Sequence, residues 1–140
     1  MSNSKEVPRR RVVELRREFQ QYRRQVGMKY MLLIYHDEQQ FIGLTEDERQ
    51  EIYREYRALR EELTNNGKFV TGSQLQAASA ARTITLRNGK QMATDGPFAE
   101  TKEQLGGYFL VETETLREAE EIAARIPSAR MGSVEVRALV

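Results

Sequence analysis

"KYMLLIY", residues 29–35, decides the fold of this chain, because it is apolar at six consecutive positions. Side chains alternate across a strand, so Tyr30, Leu32 and Ile34 share one face and Met31, Leu33 and Tyr35 the other. Both sets are apolar, and a strand of that kind needs a cover on each side. "GYFLV", residues 107–111, repeats the pattern, with Phe109 and Val111 opposite Tyr108 and Leu110. The rest of the chain must supply the covers.

Two long helices are legible. Residues 44–68 carry Ile52, Tyr56, Leu59 and Leu63 as one apolar stripe, with Thr45 and Glu48 spaced as a capping box and Asn66-Gly67 as the stop. A second helix opens on Thr115 and Glu118, buries Leu116, Ala119, Ile122, Ala123 and Ile126, and ends at Pro127. Between them, residues 68–76 read as a strand. Residues 82–94 read as a hairpin turning on Asn88-Gly89. The last strand is "SVEVRALV", residues 133–140. The order β-α-β-β-β-α-β predicts an α+β, ferredoxin-like sheet with both helices on one face. The economical cover for the other face is the same sheet of a second copy, giving a homodimer. The alternative cover is a helix at the N-terminus.

That N-terminal segment stands apart in charge. Residues 1–27 hold Lys5 and seven arginines against three glutamates, net +5, while the remaining residues carry net −4. Val12, Leu15, Phe19, Tyr22 and Val26 recur at helical steps. The chain therefore divides into a basic helical extension, residues 1–27, and a domain, residues 28–140. The extension either docks on the domain or a second copy, or reaches an acidic partner such as nucleic acid. It lacks the apolar run of a secretion signal.

Composition excludes several classes. The 140 residues include no cysteine and one histidine, which removes a disulfide scaffold, a thiol nucleophile and any cysteine metal site. No metal or other cofactor is expected. No apolar run approaches the roughly 20 residues of a membrane span. A cytoplasmic setting suits the absence of cysteine.

"TDGPFAETKEQLGGYFL", residues 94–110, raises the functional question. Gly96 and Pro97 make a corner, and Asp95 stands at a strand end beside it. Thr101 and Gln104 fit another capping box, so residues 100–104 are expected to form one helical turn. Gly106 and Gly107 leave room for a backbone or a ligand to approach. Asp95 either binds amides of its own turn or serves as an acid, base or ligand anchor. Phe98 is expected to be buried as the wall of a pocket, since exposing its ring forfeits roughly 2 kcal/mol.

The same stretch resembles the hallmark of the DGPF group of YCII-related domains. "MKYMLLIY" and "ARIPSARMGSVEVR" agree with it in sequence and spacing over residues 28–140. The resemblance implies a dimeric α+β barrel of ferredoxin-like subunits. It implies a His-Asp pair in some relatives, dechlorination of a hydroxyquinol in one branch, and a frequent genomic link to extracytoplasmic-function sigma factors. Carried over by position, Asp95, Gly96, Pro97 and Phe98 match the motif. His36, within "YHDE", stands where such proteins often have glycine, which weakens a His-Asp mechanism and reads more simply as a solvated loop residue. Asp37 fits the pattern.

The candidate catalytic groups are thus Asp95, with His36 and Asp37 behind it. The candidate ligand contacts are Gly96, Phe98, Lys102, Glu135 and Arg137. The last two share a strand face opposite Val134 and Val136, and form either a seat for a polar ligand or a structural ion pair. Three functions fit: an enzyme using carboxylate acid-base chemistry on a small polar or aromatic molecule, a non-catalytic sensing module working with a sigma factor, or a structural dimer.

Overall fold

The computed structural model describes residues 8–140, apart from the side chains of 23–26. The elements run α1 (Arg9–Val26), β1 (Met28–His36), α2 (Glu38–Ile42), α3 (Glu46–Asn65), β2 (Phe69–Gln74), β3 (Arg82–Arg87), β4 (Lys90–Asp95), β5 (Gln104–Thr113), α4 (Leu116–Arg125) and β6 (Ser133–Ala138), with short 3₁₀ turns at Ala78–Ala80 and Pro127–Arg130. Four strands form one sheet in the order β2-β5-β1-β6, every pair antiparallel. With the β3–β4 ribbon set aside as an insertion, this is the ferredoxin-like βαββαβ arrangement.

The two-faced reading of β1 and β5 holds. Tyr30, Leu32 and Ile34 pair across the sheet with Val111, Phe109 and Gly107, and their shared face is the core. Leu59 and Leu63 from α3 and Ala119, Ile122 and Ala123 from α4 close over it. Val134 and Val136 of β6 pack against the same cluster. On the opposite face Met31, Leu33, Tyr35, Tyr108 and Leu110 are half-buried. The α1 helix does not bury its stripe there: Val12, Leu15, Phe19 and Tyr22 are all exposed. Val26, placed on the same stripe by spacing, has its side chain outside the described residues.

The α3 cap forms as expected. Thr45 Oγ1 accepts from the Glu48 amide at 3.2 Å and Glu48 Oε2 accepts from the Thr45 amide at 2.7 Å. At α4 the reciprocal bond moves one residue: Thr115 Oγ1 accepts from the Glu118 amide, but Glu118 accepts from the Glu114 amide. Leu116 is exposed, contrary to its place on the expected stripe, because it lies in the first turn, ahead of the sheet.

Two expectations between 76 and 104 fail. Residues 100–104 form no helical turn. The Gln104 side chain is spent elsewhere: its Oε1 accepts from the Glu38 amide at 3.0 Å and its Nε2 donates to Thr101 O at 2.5 Å. That bracket ties the chain entering β5 to α2 and leaves no cap for a helix. Phe98, expected to be buried, is 91% exposed. It follows the left-handed Gly96 (φ 95°), whose amide donates to Ala81 O at 2.7 Å and turns the chain away from the core.

The β3–β4 ribbon turns at Asn88-Gly89, both at positive φ, as a tight primed turn requires. It forms a separate two-stranded sheet. One of its faces carries Ile84, Leu86 and Ala93, all exposed. A two-stranded ribbon alone is marginally stable in water.

Candidate functional site

A β-bulge builds the site. Between Ile34 and Tyr35 the β1–β5 register shifts, so Gly107 faces Ile34, Leu105 faces Tyr35, and Gly106 is the extra residue. Bulges bend a strand and re-aim its neighbours, and they recur beside functional sites. His36 lies flat over this bulge. A Cβ on Gly106 would stand 2.2 Å from His36 Cε1 and 2.7 Å from Nδ1. Only glycine admits the imidazole. Gly107 answers a different need, since a Cβ there would meet Ser73 O at 2.8 Å. The double glycine therefore serves a ring and a backbone of this same chain.

His36 is thus the last residue of β1 and half-buried, not a solvated loop residue. Its Nδ1 is fully enclosed, with no hydrogen-bond partner among the described residues. Phe41 of α2 packs on it at 5.6 Å between ring centroids, and Tyr53 of α3 meets Phe41 edge-on at 6.1 Å. These rings wall a cavity of about 290 Å³ between α3 and the sheet end. Ile34, Ile52 and Phe109 make its apolar floor and side, and Arg57 and Arg60 stand at its edge.

Two polar groups in the wall satisfy each other. The Tyr56 hydroxyl and Ser128 Oγ lie 2.7 Å apart. Burial raises the Tyr56 phenol above its ordinary pKa, and the Ser128 hydrogen bond only partly opposes this. The two arginines differ. The Arg60 guanidinium sits over the Phe69 ring at 5.0 Å. Arg57 has no hydrogen bond, ion pair or ring contact among the described residues. Among the described residues, no carboxylate lines the cavity.

Of the candidates named from sequence, only His36 reaches this cavity. Asp37 caps α2, its Oδ1 accepting from the Gln39 amide at 2.9 Å. Asp95 is 86% exposed and pairs with Arg82 across the ribbon at 3.0 Å, in place of an amide of its own turn or a pocket. Gly96 binds the ribbon base, its carbonyl accepting from Thr83 Oγ1 at 2.9 Å. Phe98 and Lys102 are exposed outside the cavity. Glu135 and Arg137 form an ion pair at 2.5 Å on the sheet face away from the helices. Sequence reasoning missed Tyr53, Arg57 and Ser128. The available signal was the repeat of Tyr53, Tyr56, Arg57 and Arg60 along one flank of the α3 stripe. Among the described residues, no group of three or more His, Asp or Glu side chains is placed to hold a metal ion. No helix among them is long and apolar enough to cross a membrane.

The sequence profile of the YCII-related domain matches residues 28–140. The chain belongs to the YCII-related domain family. An uncharacterised protein of Rhizobium meliloti (strain 1021) is 35% identical over 114 residues, which span 80% of this chain and 92% of that protein. The YCII-related match begins at the first residue of β1 and leaves α1 outside it.

Proposed function

We propose that this YCII-related protein binds a small molecule in the cavity beside His36. The observation that supports this reading is the apolar cavity itself, walled by His36, Phe41 and Tyr53 and edged by Arg57, a guanidinium without a partner among the described residues. Concave, mostly apolar spaces with a few polar groups at one edge are where small molecules bind. The absence of any lining carboxylate favours binding or sensing over carboxylate acid-base catalysis in one copy of the chain. Methyl and aromatic NMR spectra of the full chain, titrated with a mixed set of small polar and aromatic compounds, test the reading. Shifts should cluster at Ile34, Ile52 and Phe41. Shifts confined to Phe98 and the ribbon would move the site to the motif corner.

The same reading includes a homodimer in the cytoplasm, with residues 1–27 as an accessory extension. Its support is the apolar outer face of β1 and β5, together with the exposed Ile84, Leu86 and Phe98. Light scattering of residues 28–140 at micromolar concentration should give twice the monomer mass. A clean monomer would remove this part.

A further inference from the structure

We infer that the ligand of this cavity is a small aromatic carboxylate, its ring among Phe41, Tyr53, Ile34 and Phe109 and its anion at Arg57. The inference rests on the reading of the cavity as a binding site and adds the chemical class.

Size comes first. An apolar cavity of about 150 Å³ accommodates a benzene. This one, at about 290 Å³, has room for one ring with a short substituent or for two fused rings. Shape comes second. His36, Phe41 and Tyr53 meet at inclined angles of 49° and 69°, so they present ring faces and edges to the space. Flat partners suit such walls, since aromatic rings prefer offset and edge-to-face contacts. A flexible aliphatic chain would lose more rotational freedom for the same burial.

Charge comes third. Among the described residues, the lining includes His36, Arg57 and Arg60 and no acid. A cleft edged by one sign of charge raises the local concentration of the opposite sign. Arg60 is already engaged with Phe69, so the free guanidinium is that of Arg57. A guanidinium fork matches a carboxylate with two parallel hydrogen bonds. One uncommitted arginine fits a monoanion better than a phosphate dianion. Arg57 lies one helical step beyond Tyr53, on the same side of α3, which puts the charge at the rim and the ring inside.

The test uses the full chain and matched probes: 2-naphthoate, benzoate, 2-naphthalenemethanol and phenyl phosphate, measured by calorimetry and by shifts at the Ile34 and Ile52 methyls. The naphthoate should bind more tightly than benzoate and at least tenfold more tightly than the alcohol. Arg57→Gln should weaken naphthoate at least tenfold and leave the alcohol within twofold. Arg54→Gln, an exposed arginine of the same helix paired with Glu51, should change neither. If the alcohol binds as tightly as naphthoate and Arg57→Gln is silent, the cavity stands and the carboxylate class falls. Phenyl phosphate binding more tightly than benzoate would also overturn it, in favour of a phosphate ester. If no probe shifts either methyl, the cavity reading itself falls.

Discussion

Gly106→Ala tests the bulge and the ring above it together. The Gly106 backbone lies outside the left-handed region, so alanine is allowed there by its dihedral angles. In the absence of neighbours the substitution would stabilise the strand by roughly 0.5–1 kcal/mol, by restricting the unfolded chain. The neighbour decides otherwise. The new Cβ would stand 2.2 Å from His36 Cε1, whereas carbon atoms pack at about 3.5–4.0 Å. The imidazole must therefore retreat by more than about 1 Å, against Phe41 or into the cavity. Overpacking of this kind costs about 1–3 kcal/mol. The net loss is about 0.5–2 kcal/mol, which for a chain of this length lowers Tm by roughly 2–8 °C. In a His36→Ala background the clash is gone, and Gly106→Ala should be neutral or stabilising. The assay is a double-mutant cycle of four proteins, each unfolded in urea and by heat under circular dichroism. A coupling energy of about 1–3 kcal/mol is expected between the two sites. Effects additive to within about 0.5 kcal/mol would refute the placement of the ring over the bulge.

Tyr56→Phe should cost about 1–3 kcal/mol, because it strands the buried Ser128 hydroxyl, and adding Ser128→Ala should recover part of the loss in denaturant melts. The Tyr56 phenol is disfavoured as phenolate in the folded chain, so its contribution is whole below the unfolded tyrosine's pKa near 10 and declines as pH rises above it; spectrophotometric titration should show one late-ionising tyrosine. The hydrogen bond from Lys68 holds Glu118 below the ordinary carboxylate range, with burial pulling the other way. Its contribution, under about 1 kcal/mol, is present above the unfolded carboxylate pKa and lost as pH falls through the folded one, so Glu118→Gln should destabilise at pH 7 and not at pH 3. Deleting residues 2–27 should preserve a cooperative melt, because the described side chains of α1 are exposed; a molten product would show that the Val12–Tyr22 stripe is core.

The sheet was legible because β1 and β5 are short continuous apolar runs bounded by turn and cap signals, a pattern that survives any tertiary detail. The capping box of α3 and the Thr115 cap of α4 were legible because they are local. The same local rule misled at Thr101 and Gln104, where a contact from Glu38, 66 residues away in sequence, took the glutamine. Phe98 misled because its hydrophobicity was read as burial, whereas the left-handed Gly96 turns the chain away from the core. The cavity was illegible because its walls come from β1, α2, α3 and β5, and nothing in one stretch announces their convergence. His36 looked like a loop residue because it follows the apolar run, yet the strand extends one residue further and the bulge folds its ring inward.

The excursion from 76 to 103 leaves the sheet next to where it rejoins it, the Leu75 amide donating to Gly106 O at 2.9 Å, and is otherwise held by side-chain bonds such as that from the Ala78 amide to Glu38 Oε1 at 2.7 Å. Within it the β3–β4 ladder closes on itself. Such a segment opens as its own cooperative unit, well below the free energy of global unfolding. Its amides should exchange with solvent long before those of β1 and β5. It also frees the lineage: the ribbon can lengthen, shorten or change its face without disturbing the β2–β5 pairing, while Gly106 beside its return stays bound to the shape of a histidine.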